Sequence, residues 1–122
     1  MAASHTVLFV EDEPAMRELV RHILSAKGFT VLLAKNGYEA TIILAERAVD
    51  LLLTDIVMPG ISGFELAMQA KLMRPDLKVL YTTGYSEQAK GGGIRYGKLL
   101  PKPLRPAELV WEISQALGRS PP

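Results

Sequence analysis

Short apolar runs alternate with amphipathic stretches along this 122-residue chain. Residues 6–10 (Thr-Val-Leu-Phe-Val) and 51–54 (Leu-Leu-Leu-Thr) show no period-two alternation. Strands of that kind are covered on both faces, as in the interior of a parallel sheet. Residues 30–34 and 78–83 read as two further strands and 98–100 as a short fifth. Between them apolar residues recur at helical spacing. Met16, Leu19, Val20, Ile23 and Leu24 form one stripe, closed by Lys27 and by Gly28 as a C′ glycine. Residues 38–48 carry Ala40, Ile43 and Leu44 on one side, and residues 64–74 offer Leu66, Ala67, Ala70 and Met73 to a buried face before Pro75-Asp76 stops them. A last helix opens at Pro106, carries Leu109, Val110, Ile113, Ala116 and Leu117, and ends at Gly118.

Residues 86–97 break the pattern. Ser86 to Lys90 suit a helix start, but each of Gly91, Gly92 and Gly93 would cost it about 1 kcal/mol. One or two helical turns, or a mobile loop, are expected there. Repeated strand-helix units predict an α/β fold: a parallel sheet with helices on both faces, joined by right-handed crossovers. Pro101-Lys102-Pro103 places the fifth strand at a sheet edge, because proline cannot donate to a ladder. Residues 1–5 read as a disordered tail, 6–118 as one domain and 119–122 as a second tail.

Composition narrows the chemistry. The hydrophobic content of 48% supports a core without disulfides, and the absence of cysteine excludes thiol nucleophiles and Cys-ligated metals. No apolar run approaches membrane-spanning length and residues 1–6 lack the form of a signal peptide, so a cytoplasmic location and no direct membrane contact are expected. A formal net charge of +1 gives no basic field for direct nucleic-acid binding.

Candidate chemistry gathers at the strand ends. The first strand runs into Glu11-Asp12-Glu13-Pro14, the third into Asp55-Ile56-Val57-Met58-Pro59-Gly60, the fourth ends at Thr83-Gly84, and Lys102 follows the fifth. In open α/β sheets the carboxyl ends of strands are where ligands bind. Each like-charged pair of carboxylates about 4 Å apart costs on the order of 4 kcal/mol at an effective dielectric of 20, so a cation must offset them. An all-oxygen cluster selects a hard divalent ion such as Mg2+, and Lys102 with the Thr83 hydroxyl would suit a phosphoryl group in transfer. Asp55 could then attack phosphorus and become an acyl phosphate.

In this order and at these strand ends, the motifs Glu11-Asp12, Asp55 to Gly63 with Met58-Pro59, Thr83-Gly84 and Lys102-Pro103 resemble the receiver domain of two-component response regulators, over residues 6–117. That resemblance implies a flavodoxin-like, doubly wound five-stranded sheet of order 2-1-3-4-5. It implies a phosphoacceptor domain of a two-component system or phosphorelay, with Asp55 as acceptor. Mg2+ would be held by Asp12, Asp55 and the Val57 carbonyl, with Glu11 acting mainly through water. Thr83 and Lys102 would grip the phosphoryl oxygens, Lys102-Pro103 would be cis, and the donor would be a phosphohistidine on a histidine kinase or histidine phosphotransfer protein. The domain would promote part of its own phosphorylation and dephosphorylation.

The chain departs from that pattern in three places. Glu11 stands where an aspartate is usual, Leu99 replaces the aromatic three residues before the lysine, and the segment after Thr83 is glycine-rich. The chain therefore resembles receivers attached to or serving hybrid histidine kinases more than those that drive a DNA-binding domain. Val57 and Tyr85, bulky and without an acid or amide, would line the path of an attacking water, which predicts slow self-dephosphorylation. Met16 on the first helix and the Pro103-Leu104 turn are expected to flank the donor's docking surface.

Two rival readings differ in class. A flavodoxin-like cofactor binder would need a Gly/Ser/Thr-rich first turn where this chain has three acids. A degenerate receiver acting only as an interaction module is disfavoured because every chemical role is filled. Elsewhere His22 is expected on the surface, Met58, Met68 and Met73 in core or turn packing, and Trp111 as a partly buried aromatic off the main stripe. Oligomeric state is not legible from the sequence.

Overall fold

A computed structural model of the chain describes residues 4–84 and 95–118. The elements follow in the order β1 (Thr6–Val10), α1 (Pro14–Ser25), β2 (Thr30–Ala34), α2 (Gly37–Glu46), β3 (Leu51–Asp55), α3 (Gly63–Met73), β4 (Lys78–Thr83), β5 (Leu99–Pro101) and α4 (Pro106–Leu117). The five strands form one parallel sheet of order β2-β1-β3-β4-β5, the flavodoxin-like arrangement expected from the motifs. β5 lies at the edge, where Pro101 interrupts no interior ladder.

Every residue of β3 is buried, which is what its unbroken apolar run requires. The two faces of the sheet have separate cores. Leu8, Leu52, Val79 and Tyr81 pack with Ala40, Leu44, Leu66 and Ala70 on one side; Phe9, Leu53, Leu80 and Leu100 pack with Val20, Leu24, Leu109 and Ile113 on the other. α2 and α3 therefore cover one face, α1 and α4 the other.

Local chemistry sets most helix ends. Pro14 and Pro106 open α1 and α4. The Asn36 side chain accepts from the Glu39 N–H at 2.8 Å while the Glu39 carboxylate accepts from the Lys35 N–H at 2.9 Å, a reciprocal cap on α2. Ser62 accepts from the Glu65 N–H at the start of α3, and Gly118 closes α4 in the left-handed conformation.

The regular part of α1 ends at Ser25, and Gly28 (φ +88°) closes it as the expected C′ glycine: the Phe29 N–H donates to the Leu24 carbonyl at 3.2 Å and the Gly28 N–H to the Ser25 carbonyl at 3.1 Å. Several expectations need correction. Leu19 is about half exposed, because it falls roughly a quarter-turn from the Val20–Leu24 line that meets the sheet. α2 stops at Glu46, two residues short of the predicted end. The Arg74 guanidinium donates to the carbonyls of Leu44 and Arg47 and takes the last turn's acceptors from a distance in sequence. Met68 and Met73 are exposed on α3, and only Met58 of the three methionines is buried. Ser4 and His5 are placed: the His5 carbonyl accepts from the Thr30 N–H. His22 is on the surface and Trp111, 46% exposed, is partly buried, both as expected. Most of the 86–97 segment lies outside the described residues.

Candidate functional site

The parallel order brings the carboxyl ends of β1, β3, β4 and β5 to one rim. β1 delivers Glu11, whose N–H continues the ladder to the Ala34 carbonyl. Its side chain turns inward and is 1% exposed, with one oxygen accepting from the Glu13 N–H at 3.1 Å. Arg17, one turn into α1, donates to the Glu11 carbonyl at 2.8 Å and fixes the acidic turn. Asp12 points to the outside, beside an open groove of about 570 Å3 that runs between the start of α2 and the turn after β3.

β3 delivers Asp55, 6% exposed. Its place is fixed from below by Gly63. The Gly63 N–H donates to the Ile56 carbonyl at 2.8 Å, and a β-carbon on Gly63 would collide with the Asp55 carbonyl. This is why a glycine must open α3. The Val57 N–H lies 3.4 Å from Asp55 Oδ1. Carboxylate oxygens of Glu11, Asp12 and Asp55 all lie within 4.8 Å of one another.

The offsetting cation comes from the far side of the sheet. Lys102 Nζ donates to Glu11 Oε1 at 2.7 Å and to Asp55 Oδ2 at 3.1 Å. Since β5 is the edge and β4 lies between it and β3, the lysine side chain crosses the end of β4 to reach Asp55, and the Glu11 side chain reaches in from β1 to meet it. The lysine stem passes over Gly84, where a β-carbon would lie 3.9 Å from Lys102 Cδ. The Lys102 N–H donates to the Thr83 carbonyl at 2.8 Å, and the Lys102-Pro103 peptide is cis. The side chains of Glu11, Asp12, Asp55 and Lys102 thus meet at one rim, with the Thr83 carbonyl and the Val57 N–H beside them.

One ammonium shared between two carboxylates has unequal effects on its partners. Burial pushes the Glu11 carboxyl above its ordinary range and outweighs the Lys102 and Glu13 hydrogen bonds that pull it down. Burial by itself would lower Lys102, yet hydrogen bonds to Glu11 and Asp55 together hold its ammonium above the usual lysine range. The lysine gains from both acids, whereas Glu11 receives only a share of it.

Of the five expected groups, the side chains of Glu11, Asp12, Asp55 and Lys102 come together, and two further features stand out. The sequence does not announce that Glu11 is also a buried, direct partner of Lys102. Sequence reasoning also passed over Thr82, which lies beside Asp55 in the sheet register. An extended residue next to a flagged strand end was the available signal.

An all-oxygen carboxylate set of this span suits a hard divalent cation, with room left for water and a phosphate oxygen. Such a rim can present a carboxylate nucleophile to phosphorus with cationic and hydroxyl support on either side.

Comparison with known proteins agrees with this chemistry. Residues 7–114 match the family model described as response regulator receiver domain. Response regulator receiver protein CpdR of Brucella abortus is 39% identical over 114 residues, covering 91% of this chain and 95% of that protein. Sensor kinase CckA of the same organism is 34% identical over 125 residues, which cover 98% of this chain but 13% of that kinase. The crystal structure of the receiver domain from hybrid histidine kinase CckA superposes with a TM-score of 0.79 at 37% identity, over 92% of this chain and 98% of that one. Response regulator TrrA of Thermotoga maritima, in complex with Mg(2+)-BeF, superposes at 0.86 with 32% identity, over 93% of this chain and 99% of that one.

Proposed function

Since this chain belongs to the response regulator receiver domain family, we propose that Asp55 takes up a phosphoryl group from a phosphohistidine, with Asp12, Asp55, Glu11 and the Val57 carbonyl holding Mg2+ and with Thr83 and Lys102 receiving the phosphoryl oxygens. The observation that carries the reading is the convergence of the Lys102 ammonium and three carboxylates at one end of the sheet.

In the transfer, an Asp55 carboxylate oxygen attacks phosphorus in line with the P–N bond of the donor imidazole. That bond breaks, its electron pair stays on the leaving nitrogen, and the ring is released neutral once the nitrogen is protonated. Bound Mg2+ supplies charge neutralisation for the phosphoryl oxygens. Lys102 is already drawn to Asp55, so its ammonium needs only to shift outward to meet the new oxygens. The buried position of Asp55 keeps bulk water from competing with the donor.

The donor side would be a histidine kinase or a histidine phosphotransfer protein. Likeness to the receiver of a hybrid histidine kinase and Leu99 in place of an aromatic favour a receiver that passes or stores phosphoryl groups over one that drives a DNA-binding output. Met16 on α1 and Leu104 after Pro103, both half-buried, flank the rim as docking positions. Among the described residues no helix is long and apolar enough to cross a membrane.

Acetyl phosphate with Mg2+ should label the protein, and Asp55→Asn should abolish labelling. Labelling that survives in Asp55→Asn would move the acceptor elsewhere; no labelling of the wild type would favour a degenerate receiver. Val57, 38% exposed beside the acceptor, offers no group to orient a hydrolytic water. Decay of the phosphorylated protein should therefore be slow, and Val57→Asn should speed it. Tyr85, the second residue expected on that path, lies outside the described residues.

A further inference from the structure

Thr82 is fully buried, and among the described residues its hydroxyl has no hydrogen-bond partner. An unmade hydrogen bond of that kind is unfavourable, and valine has nearly the same shape without it. Its position is not arbitrary. In the parallel register Thr82 sits directly between Asp55 on β3 and Leu100 on β5. Laterally paired residues of a sheet project from the same face, so the Thr82 side chain shares the face of Asp55. The Ile56 N–H donates to the Thr82 carbonyl at 3.0 Å, which locks the two strand ends together. In the resting arrangement the Lys102 ammonium donates to Asp55 Oδ2 at 3.1 Å.

Phosphorylation changes what Asp55 needs. The carboxylate oxygen that does not bond phosphorus becomes the carbonyl of an acyl phosphate. The ammonium that served it is drawn outward to the more highly charged phosphoryl oxygens. A buried carbonyl next to an unpaired hydroxyl is then the simplest pairing the strand ends offer. We propose that Thr82 is a positioning residue of the acceptor site, whose hydroxyl donates to the acyl oxygen of Asp55 once the phosphoryl group has taken Lys102. This rests on Asp55 being the acceptor, and it gives Thr82 a role distinct from that of Thr83.

The test uses Thr82→Val and Thr82→Ser, read in two ways. Thermal unfolding without ligand reports the resting state: Thr82→Val should melt at or above the wild type, because it removes an unpaired polar group. Titration with beryllofluoride and Mg2+, followed by the rise in melting temperature, reports the acyl-phosphate-like state. There Thr82→Val should bind about fivefold more weakly, the worth of one neutral hydrogen bond, and Thr82→Ser should retain most of the affinity. A Thr82→Val protein that melts clearly lower at rest overturns the proposal, since the hydroxyl would already be engaged. So does wild-type beryllofluoride affinity in Thr82→Val, which would assign the hydroxyl to a purely structural buried water. Equal loss in the serine variant also overturns it, by tying the effect to the methyl group. Failure of the wild type itself to respond to beryllofluoride would instead count against Asp55 as acceptor.

Discussion

At the scale of single residues, the site is governed by an imbalance: two buried carboxylates, Glu11 and Asp55, share one ammonium. Because burial holds the folded Glu11 carboxyl above its ordinary range, the fold favours its protonated form. That contribution is fully present below pH 4.5 and is lost as pH rises through the higher folded value. In the absence of Mg2+, the urea midpoint should therefore fall as pH rises from 4.5 toward neutrality, and Glu11→Gln should flatten this part of the profile. The opposite trend in the wild type, or an unchanged slope in the variant, would contradict the assignment. The meeting of Asp55, Asp12 and Lys102 is legible in the sequence because each follows an apolar run and precedes a turn. The depth of Glu11 is not. Glu11 and Asp12 are adjacent acids, and only the course of the chain after β1 decides that one is buried in the rim and the other lies at its exposed edge.

Element by element, the strands were the most legible features because their apolar runs are uninterrupted, and the helix ends were less so. α2 illustrates why: its last carbonyls are taken by Arg74, 30 residues away from Leu44, and no local signal announces such a cap. Spacing alone puts Leu19 and Met73 on buried faces, yet both are exposed, because the sheet meets only the central line of each helix. The start of α3 carries a firmer expectation. Gly63→Ala would press a methyl group against the Asp55 carbonyl, and should destabilise the domain by roughly 1–3 kcal/mol in urea unfolding. Acetyl phosphate labelling should drop with it, because the backbone that carries the nucleophile has to move. Ser62→Ala, one residue earlier, removes only a cap; it should cost about 1 kcal/mol and leave labelling intact.

Over the whole molecule, binding at the rim is linked to folding. Mg2+ that binds the folded rim and not the unfolded chain should raise the urea midpoint with concentration, and Asp12→Asn should weaken that response. At the alkaline end, Tyr81 sets a second limit. Burial, aided by Tyr96, pushes its hydroxyl up to about 12, while it donates to the Arg95 carbonyl at 2.7 Å. The neutral form is favoured in the fold, so stability is kept below pH 10 and lost between about 10 and 12, by roughly 2–3 kcal/mol. Unfolding midpoints should drop less steeply across that window in Tyr81→Phe. Finally, the long reach of Lys102 has a mechanical side. β5 is three residues long with a neighbour on one side only, and its following lysine is fastened to β1 and β3 at the centre of the sheet. The side chain thus acts as a guy line from the middle of the sheet to its margin, and re-tying it at a phosphoryl group shifts the load on the margin. Amide exchange at Leu99 and Leu100 should respond to beryllofluoride and cease to respond in Lys102→Ala, so that the strand end carrying Leu99 serves as the gauge of what happens at Asp55.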